Sequence, residues 1–263
     1  MNSIVLLAAL VTTPVQYQFK TDHSVNYTMS VAFDGFIPIL GGQDGKAEAR
    51  LKVLVKGAES KTLENLIASS ELTDAELFFN EAKLPLGLDN IKDFFPKTTI
   101  KLTPFGKIIE TDAPDKNLPI KLPGLDAKRF PDISYLPIEF PAEGVEIGKP
   151  FKFTKNFGDS PVEYECTMQL PIDDIAKFEL TIKQSYSVME NISLEIVKAK
   201  EDAEFMVDTV VAGKGYVLFD MKKSQVKKME LNAVATSNVV EIATKTKSNR
   251  KLTTTLKVDR IEK

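Results

Sequence analysis

The stretch Gly215–Leu231 constrains the fold of this chain more than any other. Apolar and polar residues alternate on both sides of a polar turn at Lys222–Gln225, which is the pattern of two antiparallel strands. Thr98–Thr111 has the same form and turns at Pro104–Gly106. Two such hairpins predict a mainly β protein in which consecutive strands pair with each other.

Segments ahead of the two hairpins also resemble each other. Ala47–Val53 is similar to Ala176–Ile182, and Asp74–Phe79 is similar to Asp202–Val207. The spacing from Ala47 to Asp74 is 27 residues, and the spacing from Ala176 to Asp202 is 26. A similarity that recurs at a fixed offset predicts an internal duplication. The alternative is chance, because amphipathic strands resemble one another.

The remaining alternating runs are joined by short polar turns, which predicts an antiparallel meander. About a dozen strands exceed what a flat open sheet accepts, so we predict a large curled sheet or half-barrel. A glycine-rich loop is expected at Asp34–Gly45, and one short helix at Leu88–Phe95, ended by Pro96. The other predicted strands span residues 17–33, 46–55, 63–70, 75–79, 151–156, 162–170, 175–188, 192–199, 203–211, 239–245 and 251–261.

Composition divides the chain into four predicted segments. Residues 1–16 resemble a signal peptide, because Ile4–Val11 is an apolar run too short to span a bilayer; a buried first strand is the alternative. Residues 17–112 form the first β repeat with its helix. Residues 113–150 form a packed connector rich in proline, and residues 151–263 form the second β repeat with an extra C-terminal hairpin. The signal peptide predicts an exported protein, periplasmic or extracellular, with no transmembrane segment.

Three phrases resemble a known group of proteins. They are Pro123-Gly-Leu-Asp in the connector, the run from Tyr135-Leu-Pro-Ile-Glu-Phe-Pro to Val145-Glu-Ile-Gly148, and the strand Gly215-Tyr-Val-Leu-Phe-Asp220. They are similar to exported bacterial β-rich proteins of unknown function. The resemblance implies export and a β architecture, and it brings no catalytic residues with it.

Residues that usually carry chemistry are scarce, so we expect no enzyme, no metal and no cofactor. His23 is the only histidine and Cys166 the only cysteine, which leaves too few ligands for zinc and no partner set for a nucleophile. Cys166 is most simply a core residue. A hydrolase built on carboxylates is the last alternative. No motif indicates nucleic-acid binding.

Two features favour a binding function. The first is a set of apolar residues without an obvious position in the sheet. They predict a groove on the concave face that binds an apolar molecule or lipid. The alternative is that they fill the core. The groove candidates are Phe36, Ile37, Leu88, Ile91 and Phe95. The second feature is a net charge of +7 over Lys222–Lys263 in a chain of net charge −3, concentrated at two hairpin tips.

The basic tips predict contact with an anionic component of the cell envelope. The candidates are Lys222, Lys223, Lys227, Lys228, Lys245, Lys247, Arg250 and Lys251. An anionic polymer or a membrane surface would attract them. Lysines that only protect sheet edges from aggregation are the alternative. The sequence thus leaves two functional hypotheses, a lipid-binding groove and an interaction module that uses the basic tips or a sheet edge.

Overall fold

A computed structural model describes residues 12–37, 41–59, 65–91, 97–112, 134–157 and 160–262. Within these residues one antiparallel sheet of thirteen strands dominates the protein, and a short two-stranded pair lies apart from it. The sheet is open, because its two outermost strands do not pair with each other. The mainly β prediction is therefore confirmed, as is the large antiparallel sheet.

The strands and helices have the following bounds. The strands are β1 (Thr12–Thr13), β2 (Ser24–Ile37), β3 (Gln43–Ala58), β4 (Leu66–Phe79), β5 (Ala82–Gly87), β6 (Thr98–Leu102), β7 (Ile108–Asp112), β8 (Val145–Glu146), β9 (Pro150–Phe157), β10 (Ser160–Met168), β11 (Ile175–Glu190), β12 (Ile196–Val197), β13 (Phe205–Asp220), β14 (Gln225–Glu241) and β15 (Lys247–Ile261). One turn of α-helix, α1 (Leu88–Ile91), follows β5, and a 3-10 turn, Lys200–Asp202, precedes β13.

The strand order across the sheet is β7-β6-β4-β3-β2-β15-β14-β13-β11-β10-β9, with β5 added to β4 and β12 to β11. The last strand, β15, pairs with β2, so both halves of the chain share one continuous sheet. The separate pair consists of β1 and β8. Val15, which follows β1, is 1% exposed. Residues within the predicted signal peptide therefore contribute to the core of the described chain, and cleavage of that segment stays a prediction.

Several strands are longer than the sequence pattern predicts. Residues 205–220 form one strand where two were expected, and so do residues 225–241. Residues 66–79 are likewise one strand, with a register shift beside Lys52 that accommodates a bulge. Strands usually contain three to ten residues. Of the polar residues that suggested breaks, Lys214 faces solvent, whereas Ser237 lies on the inner face of an uninterrupted ladder.

Other boundaries differ as well. The prediction of a loop at residues 34–45 is wrong over most of its length, since β2 continues to Ile37 and β3 begins at Gln43. Residues 192–199 form mainly turns, with only two residues of strand in β12. The predicted helix 88–95 begins at Leu88, but only its first turn is seen, and residues 92–96 lie outside the described chain. Both long hairpins have turns where the sequence placed them.

The pairing register does not reproduce the predicted repeat. Ala47–Lys52 pairs with Asp74–Phe79 across β3 and β4. The segment thought equivalent to Ala47–Val53, Ala176–Ile182, instead pairs with Gly213–Phe219. The matched segments therefore occupy different places along their strands, so the alignment that suggested the duplication is wrong at these positions.

The sheet curls strongly around its inner face. Arg250 on β15 and Glu190 on β11 form an ion pair of 2.5 Å, although their strands are three spacings apart, roughly 14 Å in a flat sheet. Tyr27 on β2 similarly donates its hydroxyl hydrogen to the carbonyl of Val226 on β14, at 3.3 Å. Such contacts require the inner faces of non-adjacent strands to approach each other. The curled sheet predicted from strand number is present.

Two extended segments, residues 14–19 and 134–140, fill the inner face, and we call them the inner plug. The Tyr17 backbone N–H donates to Pro104 O at 2.7 Å, while its hydroxyl donates to Ile138 O at 3.0 Å. Burial of this hydroxyl raises the pKa of Tyr17 well above its ordinary value. At Gly57 a Cβ atom would lie 2.7 Å from backbone atoms of residues 19 and 20, so a side chain there would displace the plug.

Aromatic rings join the plug to the sheet. The ring centroid of Phe140 lies 5.3 Å from those of Tyr17 and Phe219, and 5.4 Å from that of Phe178. Such tilted and edge-on geometries are favourable for aromatic pairs. Residues 134–140, which belong to the proline-rich connector, are thus packed against the sheet.

Candidate functional site

We call the end of the sheet that carries the turn 242–246 the upper end, and the end that carries the turn 221–224 the lower end. A small cavity opens at the upper end of the inner face. Its volume is about 40 Å³. It is lined by Phe36, Tyr186, Val188, Glu190, Leu194, Ile196, Val207, Thr209, Ala235, Ser237, Arg250, Lys251 and Leu252. Pockets for organic ligands usually measure about 300–1,000 Å³, so this one suits a few water molecules and not an acyl chain.

Arg250 closes the upper cavity. Its guanidinium carbon lies 4.5 Å from the ring centroid of Phe36 and 5.8 Å from that of Phe205. Its ion pair with Glu190 is largely buried, with side-chain exposures of 14% and 11%. Removing either partner would leave an uncompensated charge in a largely buried site. Arg250 was predicted to belong to a basic surface, but it is a buried tether between strands.

The position of Phe36 depends on its neighbour Gly35. Gly35 has a φ of 120°, and a Cβ atom there would overlap the carbonyl oxygen of Lys251. Only glycine adopts this conformation at low cost. The local irregularity lets Phe36 reach Arg250 while Ile37, the next residue, is 1% exposed. Of the predicted groove residues, Ile37 is therefore a core residue, whereas Phe36 is half-buried and lines the upper cavity.

The cavity wall has a row of hydroxyl groups beside the ion pair. The hydroxyls of Thr209 and Ser237 lie 2.8 Å apart. Burial raises the pKa of Tyr186 to about 12, and a hydrogen bond with Thr209 lowers it in part. A phenol with such a pKa stays protonated, and Glu190 is held by Arg250. These groups satisfy one another's hydrogen bonds and provide no free base or nucleophile at this wall.

The other groove candidates do not converge on this cavity. Leu88 is partly buried against the core at the start of α1. The side chain of Ile91, and Phe95 altogether, fall outside what the structure describes. The groove predicted from these five residues is thus not assembled by the residues that can be placed, and the inner plug occupies most of the concave face.

The basic candidates separate into two clusters at opposite ends of the sheet. β14 runs without interruption from Gln225 to Glu241, so the tips at its two ends are roughly 50 Å apart at 3.3 Å per residue. They cannot form the single surface that their closeness in sequence suggested. The upper cluster holds Lys245, Lys247 and Lys251, and the lower cluster holds Lys222, Lys223, Lys227 and Lys228.

The lower cluster is partly neutralised. Lys223 pairs with Glu262 at 2.6 Å, and Lys228 approaches Asp259 at 3.6 Å. Lys222 and Lys227 are exposed and have no ion pair within the described parts of the chain. Lys227 is the extra residue of a bulge, because Leu218 pairs with Lys228 and Phe219 with Val226. The bulge presents Lys227 to solvent without a cross-strand partner.

A buried ion cluster supports this end from inside. Arg260 donates from Nη2 to Asp220 at 2.7 Å and to Glu262 at 2.6 Å, while Nη1 is buried without a partner in the described chain. Burial alone would raise the pKa of Asp220, but hydrogen bonds from Arg260 and from the Lys223 backbone outweigh it and hold that pKa below its ordinary value. Hydrogen bonds from Lys223 and Arg260 lower the pKa of Glu262 to about 2.

An apolar turn beside the lower cluster was missed by sequence reasoning. Leu170 and Ile172 connect β10 to β11 and are 71% and 73% exposed. Ile172 and Ile175 exchange two backbone hydrogen bonds, of 3.0 and 2.9 Å, around Asp173 and Asp174. Both aspartates have positive φ, as a tight two-residue hairpin turn requires. The run Leu-Pro-Ile-Asp-Asp contained this signal, since the aspartates predict a turn that exposes the residues before it.

The two edges of the sheet are protected from further pairing. At one edge β7 has five residues and is largely exposed. At the other, Lys155 on β9 turns inward and donates to Leu136 O at 2.5 Å. Short edge strands and inward-pointing charges are devices that prevent edge-to-edge association. Neither edge favours the interaction role that the sequence left open for it.

His23 and Cys166, the two residues considered for catalysis, lie in different parts of the fold. His23 is exposed in a turn, and its backbone N–H donates to Lys20 O at 3.4 Å. Cys166 is fully buried, and burial raises the pKa of its thiol to about 12. The prediction that Cys166 is a core residue is confirmed. The described chain contains no cluster of three or more histidine, cysteine or acidic residues that could hold a metal ion.

Comparisons with known proteins add little. No known protein family matches the sequence, and no curated protein matches it either. Among solved structures, the protein described as "Asymmetric conductivity of engineered proteins" and a triple mutant of Rhodopseudomonas blastica porin each align at 8% identity. Each alignment has a TM-score of 0.20 and covers 91% of this chain and 99% of the other. Similarities this weak do not bear on fold or function. None of the helices in the described chain is long and apolar enough to cross a membrane.

Proposed function

We propose that this protein is a non-catalytic interaction module of the cell envelope that binds a phosphate-bearing anionic surface through its lower basic cluster. The observation that carries the proposal is the tip of the β13–β14 hairpin, where Lys222 and Lys227 are exposed without ionic partners in the described chain. Such lysines attract anionic polymers or headgroups over about one Debye length. Asp220, just before the tip, accepts hydrogen bonds from Arg260 and from the Lys223 backbone N–H.

The filled inner face favours this role over that of a lipid carrier. The plug places Phe140 and Tyr17 where an acyl chain would have to lie, and the cavity at the upper end of the inner face holds about 40 Å³. A carrier needs a much larger enclosed apolar volume. Export, which the proposal assumes, rests on the apolar run near the N-terminus.

Binding of polyphosphate tests the proposal, because this polymer has charge but no apolar part. We expect affinity to fall steeply between about 50 mM and about 500 mM salt, as the Debye length shrinks. Lys222→Gln/Lys227→Gln should weaken binding several-fold. The matched control is Lys245→Gln/Lys247→Gln at the upper end, with the same loss of charge. Equal affinity of both double variants and the native protein would refute the proposal.

A further inference from the structure

The lower end combines exposed apolar side chains with exposed lysines. This combination indicates which kind of partner surface the lower end binds. We infer that the lower end docks on an anionic lipid bilayer, with Leu170 and Ile172 inserted among the lipids and Lys222 and Lys227 at the headgroups. The inference rests on the proposed function and narrows its partner to a membrane surface.

The two turns lie in direct contact. The backbone N–H of Met221 donates to Asp174 O at 2.8 Å, which places the apolar turn next to Lys222. On the other side, the backbone N–H of Gly148 donates to Met168 O at 2.8 Å and brings Ile147, 45% exposed, to the end of β10. Three large aliphatic side chains thus share one end of the sheet with the lysines.

Nothing in the described parts of the chain covers these side chains. Single exposed aliphatic residues are normal on protein surfaces, but a group of them on neighbouring turns marks an interaction site. The hairpin turn is held by two backbone hydrogen bonds, so Ile172 cannot fold back onto the core without breaking them. Leu170 and Ile172 are therefore presented to solvent by a rigid element.

Charge distribution favours a bilayer over a purely ionic partner. Asp173 and Asp174 lie in the same turn as Ile172 and oppose a polyanion. Charge alone therefore attracts this turn only weakly to an anionic surface. Insertion of the apolar side chains into the bilayer supplies the additional attraction. A bilayer offers both a negative headgroup layer and an apolar interior. Long lysine side chains can also reach headgroups while neighbouring residues insert.

The absence of tryptophan from the chain permits a direct test. We expect Leu170→Trp to give a protein with a single tryptophan, whose emission shifts to shorter wavelength with vesicles of phosphatidylglycerol and phosphatidylcholine. Vesicles of phosphatidylcholine alone should produce little shift. The matched control is Ile192→Trp, at a residue 76% exposed near the upper end, whose emission should not change. An unshifted Leu170→Trp spectrum on vesicles that sediment with the protein would overturn the inference.

A second pair of measurements separates this inference from the proposed function. Leu170→Ser/Ile172→Ser keeps all charges, so we expect binding to anionic vesicles to fall about tenfold or more while polyphosphate binding is unchanged. If vesicle binding is also unchanged, the bilayer inference fails and the basic-tip proposal stands. If Lys222→Gln/Lys227→Gln binds polyphosphate as tightly as native protein, the basic-tip proposal fails. Circular dichroism of each variant confirms that the sheet is retained.

Discussion

Replacing Phe140 tests whether the inner plug is part of the cooperative core. Phe140 is 5% exposed, and its ring packs against the rings of Tyr17, Phe178 and Phe219 at centroid distances of 5.3 to 5.4 Å. Its backbone N–H also donates to Phe105 O at 2.8 Å, which any residue except proline can maintain. The substitution Phe140→Ala therefore removes the ring and keeps the path of the chain.

The expected cost is large. Phenylalanine to alanine in a packed core costs about 3–5 kcal/mol, from lost burial and the cavity that remains. Each lost aromatic pair contributes about 0.5–1.5 kcal/mol within that total. We expect the free energy of unfolding to fall by about 4 kcal/mol. At about 2–4 °C per kcal/mol for a large domain, the melting temperature should fall by roughly 8–16 °C.

Urea unfolding followed by circular dichroism measures this loss. The matched control is Ile192→Ala, which truncates a large apolar side chain that is 76% exposed and should change stability by less than about 0.5 kcal/mol. A loss below about 1 kcal/mol for Phe140→Ala, with an unchanged urea dependence, would show that the plug does not fold with the sheet. A plug that does not fold with the sheet could give way to an acyl chain and open a groove.

Three further predictions follow from the two ends of the sheet. Gly35→Ala should lower the free energy of unfolding by about 2–4 kcal/mol, since it adds a clash to a positive φ. Gly41→Ala, also at a positive φ but with open space around it, should lower it by about 1 kcal/mol. Arg250→Met should lower the free energy of unfolding by about 3–5 kcal/mol. In a double-mutant cycle, adding Glu190→Gln should recover much of this loss. Because the pKa of Glu262 lies near 2, its contribution to stability is present above the ordinary carboxyl pKa and lost as pH falls from about 4.5 to about 2. Glu262→Gln should reduce the pH dependence of the urea midpoint over this range. The same pH dependence in the variant and the native protein would contradict the pairing of Glu262 with Lys223 and Arg260.

Local patterns in the sequence determined the class of fold and much of the core. Alternation with a period of two identifies which residues face inward, because side chains of a strand point to opposite faces. It therefore predicted both hairpins, their turns and the burial of Cys166 correctly. The number of strands also determined that the sheet must curl, since flat sheets of this width are rare.

The length of each strand was decided by the tertiary structure. Whether a polar residue ends a strand or lies on the solvent face of a continuous one depends on the neighbouring strand. β14 continues past Ser237 because β13 and β15 pair with it on both sides. That continuity places the two lysine clusters at opposite ends, which the sequence, read with a break in this strand, could not show.

The sites also depended on contacts distant in sequence. Arg250 looks like a surface cation beside Lys251, but the curl of the sheet brings it to Glu190 and Phe36 and buries it. Leu170 looks like a core residue, yet the hairpin turn after it leaves it exposed. Burial and pairing of a charged or apolar side chain are set by which strands the chain brings together, and alternation along one strand carries no information about that choice.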